Sequence, residues 1–131
     1  MATDARGNDR YHAAKLSQGF GFVRGIGALS DDSGTDIYFA GGKYPHTPLL
    51  PNDFQSLSQG CGFGFRDVAA GGVGILCDAE GKDFYTGDVY AQASGYFYAA
   101  GILVDGSGND VYTTTQYSQG AGIHLAVGVL L

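Results

Sequence analysis

The sequence predicts an all-β chain that folds as a parallel β-solenoid, or β-helix, of about four coils. The first observation is a motif, D-x-x-G-x-D-x-Y, that occurs at residues 4–11, 31–38, 78–85 and 105–112. The second is its period, because Tyr11 to Tyr38 and Tyr85 to Tyr112 each span 27 residues. The third is an alternation of small and large residues between the motifs. A fixed period of this length is typical of stacked repeats in which each unit contacts its neighbours.

The repeat divides one domain into units at residues 4–30, 31–77, 78–104 and 105–131. A second motif, SQG, supports this division, because Gln18 and Gln119 each follow a motif tyrosine by seven residues. In the enlarged second unit Gln59 follows Tyr38 by 21 residues, so most of the extra chain precedes this glutamine.

Between SQG and the next motif aspartate, small and large residues alternate, as in QGFGFVRGIGALSD at residues 18–31. A strict period of two over a dozen residues predicts one long strand. Glycine at every second position would cost a helix about 1 kcal/mol per residue. We expect the small face to admit a second layer closely, and the large apolar face to be covered.

The aspartate motif predicts a turn, in which the Asp side chain caps the turn and Gly supplies a positive φ. The residues around Tyr38, Tyr85 and Tyr112 then form a short second strand. Parallel strands need long connections, and a coil of 27 residues supplies two or three strands with their turns. The alternative folds are a β-barrel or sandwich of long hairpins, and helical hairpins packed through small residues.

An insertion at residues 39–57 contains all three prolines and therefore cannot be an inner strand. We expect it to leave the coil as a loop, either binding a ligand or shielding one face or edge. Its candidate ligand residues are Lys43, Tyr44, His46 and Asp53.

The composition excludes several classes of protein. The chain has 131 residues and 23 glycines, yet nine tyrosines and eight phenylalanines indicate a folded chain. The net charge of −6 argues against a nucleic-acid partner. No run of 18 apolar residues occurs, so no membrane-spanning helix is expected, and no signal peptide is visible.

The cysteines and histidines show no metal-binding spacing, so a zinc site is not expected. Cys61 and Cys77 are interpreted as buried reduced thiols, with a disulfide as the alternative. His124 lies at a small-face position and is predicted to be a packed residue.

The paired aspartates of the motif are the main candidate site. Stacking of the coils would align Asp4, Asp31, Asp78 and Asp105 in one column and Asp9, Asp36, Asp83 and Asp110 in a second. Like charges about 4.8 Å apart repel by roughly 1 kcal/mol per pair in water and about 3–4 kcal/mol at an effective dielectric of 20. Backbone donors, raised pKa values or a bound cation must offset this repulsion, and calcium suits such turns.

The segment GSGNDVY at residues 106–112 resembles the glycine- and aspartate-rich nonapeptide of secreted repeats-in-toxin proteins, which form calcium-filled parallel β-rolls. That family repeats every nine residues, whereas this chain repeats every 27. The resemblance implies calcium binding by Asp9, Asp36, Asp83 and Asp110. It also implies a bacterial protein that lies outside the cell or on its surface.

Two classes of function follow. The first is a structural or adhesive repeat segment, a spacer, stalk or fibre, whose partner is a second copy stacked end to end or edge to edge. The second is a polysaccharide-binding or polysaccharide-cleaving β-helix protein, with Arg24, Arg66 and Asp67 as its asymmetric residues. Equal spacing of the carboxylates favours the first class, because an active site breaks repeat symmetry.

Overall fold

The chain forms fourteen strands and no helix in a computed structural model that describes residues 1–131, so the all-β prediction is confirmed. The strands are β1 (Ala2–Asp4), β2 (Arg10–Ala13), β3 (Ile26–Asp31), β4 (Ile37–Ala40), β5 (Pro45–His46), β6 (Leu50–Phe54), β7 (Gly62–Phe63), β8 (Val73–Asp78), β9 (Phe84–Thr86), β10 (Gly95–Tyr96), β11 (Ala100–Asp105), β12 (Val111–Thr113), β13 (Gly122–Ile123) and β14 (Val127–Leu130). No helix has the length and hydrophobicity needed to cross a membrane.

Three parallel sheets hold together the equivalent strands of successive units. A five-stranded sheet has the order β1-β3-β8-β11-β14, a four-stranded sheet β12-β9-β4-β2 and a three-stranded sheet β13-β10-β7. Their registers pair motif residue with motif residue, as in Tyr38 with Tyr85 and Asp78 with Asp105. The rings of Tyr11, Tyr38, Tyr85 and Tyr112 accordingly stack at centroid distances of 4.8, 4.7 and 4.8 Å. The prediction that equivalent side chains form columns is confirmed.

Three equivalent glutamines join neighbouring units: Gln18 and Gln59 of the SQG motif, and Gln92 of the degenerate copy Ala91–Ala93. The Gln59 amide nitrogen donates to the carbonyl of Tyr38 at 3.1 Å and to that of Thr86, one unit further on, at 3.0 Å. Gln18 and Gln92 make equivalent bonds. All three side chains are buried, and their positive φ values of 50–58° turn the chain. The glutamine side chains thus supply hydrogen bonds to backbone carbonyls that have no partner within the sheets.

The single long strand predicted for residues 18–31 is wrong, because the stretch folds back on itself. Gly25 N–H donates to the Phe22 carbonyl at 2.7 Å, and Arg24 between them has a φ of 55°. The two halves then face each other through their glycines: a Cβ added to Gly27 would lie 1.9 Å from the Phe20 carbonyl oxygen. The second layer that the small face admits is therefore the other half of the same stretch.

Two apolar clusters form the core. The first contains Leu29, Tyr38, Leu76, Tyr85, Ala93 and Leu103, and joins the five-stranded sheet to the four-stranded sheet. The second contains Leu57, Cys61, Val89 and Tyr90, with Phe63 and Tyr96 packed against it. Because glycines of the three-stranded sheet point at the five-stranded sheet, Phe63 and Tyr96 point away from it.

The expected cover over the large apolar residues is found on one sheet but not on the other. Side chains of the three-stranded sheet are covered by the second cluster. On the five-stranded sheet, however, Ile26 is 76% exposed and Val127 58% exposed. The other two parallel sheets both pack against the side of the five-stranded sheet that carries its glycines, leucines and aspartates. The opposite side of the five-stranded sheet therefore remains in contact with solvent.

The motif glycines are required for space more than for a positive φ, which corrects the predicted turn. Gly7 and Gly108 have φ values of 146° and 159°, but Gly34 and Gly81 have no positive φ. A Cβ added to Gly81 would lie 2.4 Å from Oδ2 of Asp83, and one added to Gly34 would lie 2.6 Å from the Asp36 carboxylate oxygens. The glycine therefore makes room for the second aspartate of its own motif.

The predicted insertion begins too early, because Phe39 and Ala40 still pair within β4 of the four-stranded sheet. The chain then leaves the three parallel sheets, and it forms an antiparallel hairpin of β5 and β6 where a loop was predicted. Leu50 of this hairpin packs against the second cluster, and the His46 ring meets the Tyr90 ring edge-on at 5.5 Å. The hairpin thus shields part of the core.

Candidate functional site

The two aspartate columns lie side by side along the molecule. Asp4, Asp31, Asp78 and Asp105 occupy paired positions at the ends of their strands. In the second column, the backbone N–H of each aspartate donates to the carboxylate of the aspartate one unit further on. These bonds measure 2.6 Å from Asp9 to Asp36, 2.7 Å from Asp36 to Asp83 and 2.8 Å from Asp83 to Asp110.

The motif tyrosines donate their hydroxyl groups to the first column. Tyr38 bonds Oδ2 of Asp78 at 2.7 Å, and Tyr85 reaches the same oxygen at 3.3 Å. Tyr11 bonds Asp31 and Tyr112 bonds Asp105, each at 2.5 Å. The sequence analysis missed this role, although a tyrosine at the same position in all four copies was the available signal.

The two columns combine into three groups of three carboxylates, one between each pair of neighbouring units. The groups are Asp9, Asp31 and Asp36; Asp36, Asp78 and Asp83; and Asp83, Asp105 and Asp110. Within each group, one oxygen from each residue lies within 4.8 Å of the others. Asp36 and Asp83 each belong to two groups. Asp4 belongs to none, and its Oδ1 accepts the Arg6 backbone N–H at 3.2 Å.

Each group contains buried carboxylate oxygens without a hydrogen-bond partner. In the central group these are Oδ2 of Asp36, Oδ2 of Asp83 and Oδ1 of Asp78. The three residues are 0%, 0% and 2% exposed. Leaving a buried polar atom unbonded costs about 1–3 kcal/mol, and more for a charged group. These oxygens therefore require either protons or a cation.

The electrostatics of the groups favour protonation when no cation is present. Burial, opposed by the Asp36 backbone donor but reinforced by the charges of Asp78, Asp36 and Asp110, raises the pKa of Asp83 to about 6. Burial likewise raises the pKa of Asp36 and of Asp78. The pKa of the motif tyrosines is also raised, first by burial, so their hydroxyls remain donors.

The donor atoms of the groups fit a hard cation. All are carboxylate oxygens, and none of the three groups contains a histidine or cysteine. Oxygen ligands in flexible geometry are those that calcium prefers, whereas zinc prefers nitrogen and sulfur. Calcium therefore fits the residues present better than zinc does.

The candidate ligand residues of the insertion do not converge on one point. The ring of Tyr44 is contacted by Lys15 Nζ at 4.6 Å and by Lys43 Nζ at 5.3 Å. His46 packs on Tyr90 instead. Asp53 lies in β6, and its charge contributes, after the larger effect of burial, to the raised pKa of Asp88 outside the hairpin.

A second cluster of candidate residues lies where the chain reverses before the five-stranded sheet. Arg66 Nη1 lies 3.4 Å from Nε2 of His124, and both side chains are exposed. The His124 ring packs edge-on against the Tyr96 ring at 5.2 Å, as predicted, but the residue lies on an exposed turn and is not buried. Arg24 is also exposed, and Asp67 turns the chain with a φ of 63°.

The cysteines are free, so the prediction of reduced thiols is confirmed. Cys61 is fully buried, and burial raises the pKa of its thiol to about 12. Cys77 is only partly buried, on the outer side of the five-stranded sheet, so its predicted burial is wrong.

Comparisons with family models, with curated proteins and with solved structures found no match for this chain. The function must therefore be argued from the geometry of the site.

Proposed function

We propose that the chain is a segment of a parallel β-solenoid that serves as a rigid structural or adhesive repeat and binds calcium between its coils. One observation carries this proposal: buried carboxylate oxygens without partners recur between successive units. Asp36 and Asp83, each shared by two groups, would bridge neighbouring cations. The bound cation would supply the positive charge that these buried carboxylates lack.

The energetics support a cation over a bare acidic column at neutral pH. Two carboxylates 4.8 Å apart repel by about 3–4 kcal/mol at an effective dielectric of 20. Each shared aspartate faces such neighbours both above and below. Calcium tolerates irregular sets of six to eight oxygens, whereas magnesium demands a near-ideal octahedron. The aspartate carboxylates are held in place by hydrogen bonds from backbone N–H groups and tyrosine hydroxyls. This fixed arrangement favours calcium, because calcium tolerates irregular geometry.

A structural role suits the distribution of these groups. The carboxylates recur in every unit with the same partners, which is expected of a scaffold and not of a single active centre. Calcium sites of extracellular modules bind at about 10⁻⁴–10⁻³ M, so a calcium-dependent scaffold suits an extracellular or cell-surface location. End-to-end association would extend the tyrosine file from β12 of one copy to β2 of the next, and electron microscopy of concentrated protein would test it.

The cation proposal is tested by thermal melting in EDTA and in calcium, together with calorimetric titration of the chelated protein. Calcium at 100 times its dissociation constant would raise the free energy of unfolding by about 2.7 kcal/mol. The double variant Asp36→Asn/Asp83→Asn should lose this increment. The matched control Asp32→Asn/Glu80→Gln removes two exposed charges outside the columns and should keep it. An identical melting midpoint in EDTA and calcium, with no heat of binding, would refute the proposal.

A second candidate function, polysaccharide binding, is favoured by a groove of about 360 Å³ beside the Arg66–His124 pair. Phe97 and Tyr98 line it, and their φ values of 54° and 48° are unusual for bulky residues. Tyr98 is 53% exposed, so its burial does not offset this strain. Affinity electrophoresis in neutral and acidic polysaccharides should show retardation that Tyr98→Ala abolishes, and equal mobility in every gel would exclude this function.

A further inference from the structure

The outer side of the five-stranded sheet is an apolar surface that no other element covers. We call it the outer face, and its centre is formed by Val73, Ile75 and Cys77 of β8 and Ala100, Ile102 and Val104 of β11. All six side chains are partly exposed, and none belongs to either core cluster. The equivalent residues of β3 and β14 extend the surface on both sides, with Ile26 and Val127 more than half exposed.

The absence of charge separates this surface from an ordinary solvated sheet. Charged residues make up 15% of the chain, yet the outer face carries no charged side chain. By contrast, the exposed side of the four-stranded sheet carries Arg10 and His12 beside apolar residues such as Val111. An uncharged apolar face of several strands indicates a surface that another molecule covers.

We propose that the outer face binds the outer face of a second copy of this chain, in an isologous pair that goes beyond the scaffold function above. Two copies with a net charge of −6 can meet here without opposing charged side chains. The aliphatic columns, about 4.8 Å apart, can interdigitate with identical columns, as in sheets that pack about 10 Å apart. A glycan or an extended peptide would need hydrogen-bonding side chains, which this face scarcely offers.

The area suits a weak pair. The five strands contain 3, 6, 6, 6 and 4 residues, and each residue covers about 4.8 by 3.3 Å, so the face measures about 400 Å². Pairing then buries about 800 Å² of projected surface in total. That total is below the standard size and typical of transient contacts, so a dissociation constant in the high micromolar range is expected.

The position of Cys77 provides a probe of this geometry. β8 is the middle strand of the five, and Cys77 is the fifth of its six residues, so Cys77 lies on the midline of the outer face near one end of the strands. Its thiol is partly exposed, whereas Cys61 is fully buried. In an isologous pair the two Cys77 thiols lie on facing sheets, within the span of a short bis-maleimide.

Sedimentation equilibrium of the full chain, from low micromolar to submillimolar concentration, tests the proposal in EDTA and again in calcium. The wild-type chain should form a closed dimer in both buffers, so this result is independent of cation binding. Ile75→Lys and Ile102→Lys should each weaken dimerisation at least tenfold. The control Val111→Lys changes a residue that is 46% exposed on the four-stranded sheet, and should dimerise normally.

A strict monomer at submillimolar concentration would overturn the proposal. A dimer unaffected by folded Ile75→Lys and Ile102→Lys chains would also overturn it and point to the strand edges. Crosslinking does not depend on these variants folding: bis-maleimide should join wild-type chains through Cys77 in native buffer. If dimers sediment but no Cys77-crosslinked dimer forms, the dimer interface lies elsewhere on the molecule.

Discussion

Replacing Asp83 by asparagine is expected to stabilise the protein in EDTA and to weaken its stabilisation by calcium. The side-chain oxygen of asparagine can still accept the Asp36 N–H, which lies 2.7 Å from Oδ1 in the wild-type chain. Its amide nitrogen would replace the unpartnered Oδ2 and donate to the carboxylates of the two groups that share Asp83. The substitution thus removes a buried charge and adds donors without changing the shape.

The magnitude follows from the pKa of Asp83, which burial raises to about 6, against about 3.9 in an unfolded chain. Between these two values the folded state holds the extra proton, so wild-type stability in EDTA falls as the pH rises from about 4 to 6. The difference of about two pH units sets an upper limit of about 3 kcal/mol. Solvent screening reduces this value, and we expect about 1–2 kcal/mol at neutral pH. Below pH 4 the gain should vanish, because Asp83 is then protonated in both states.

Scanning calorimetry in EDTA across this pH range measures the effect, with a rise in melting temperature of about 3–5 °C per kcal/mol. The control Asp32→Asn removes the same charge from an exposed site and should change the midpoint little. In calcium, Asp83→Asn should gain less stability than the wild-type chain, because it supplies one carboxylate fewer to two groups. A lower midpoint than wild type in EDTA at neutral pH would refute the reasoning.

Three further predictions concern the scaffold. Gly74→Ala places a Cβ 2.1 Å from the Cys61 carbonyl oxygen and should cost more than about 3 kcal/mol or prevent folding, whereas Gly25→Ala, with its nearest contact at 3.2 Å, should cost far less in urea unfolding. Tyr38→Phe keeps the ring stack but removes the 2.7 Å bond to Asp78, and should cost about 1–3 kcal/mol by the same assay; an unchanged midpoint would contradict the role of the hydroxyl. A thiol reagent should modify one cysteine of the native chain, Cys77, and both in denaturant; rapid native labelling of Cys61 would contradict its burial and its pKa of about 12.

The columns could be predicted from the sequence because equal spacing between identical motifs leaves few alternatives to stacking. Tyr38 and Tyr85 pair in register even though the second unit is longer. The insertion was recognised because its prolines cannot lie in an inner strand, and Pro45 and Pro51 lie instead in the two-stranded hairpin. Both predictions depend on features that act locally and repeat.

The reversal within residues 18–31 could not be predicted, because one strand and two facing strands show the same alternation. The turn carries few of the usual residues: Arg24, Phe97 and Tyr98 adopt positive φ values that glycine or asparagine more commonly adopts. The exposure of one side of the five-stranded sheet could not be predicted for the same reason. The alternation does not show which half of the stretch packs against which sheet.

The aspartate columns were predicted, but their free oxygens were not. Which oxygen is left without a partner depends on where the hydroxyl and amide donors point. Tyr38, for example, bonds Asp78 of the next unit and not Asp31 of its own motif. Such cross-unit bonds follow from the offset between neighbouring strands, which the sequence does not reveal.

The register across the enlarged unit has a wider consequence. Ile26 pairs with Val73 and Asp31 with Asp78, although 47 residues separate each pair, because the extra chain leaves at the corner before Gln59 and at the turn around Asp67. Those two sites can change length and content while the framework keeps its geometry. Foreign peptides grafted there should leave the registers of the three parallel sheets unchanged, because neither site lies within those sheets.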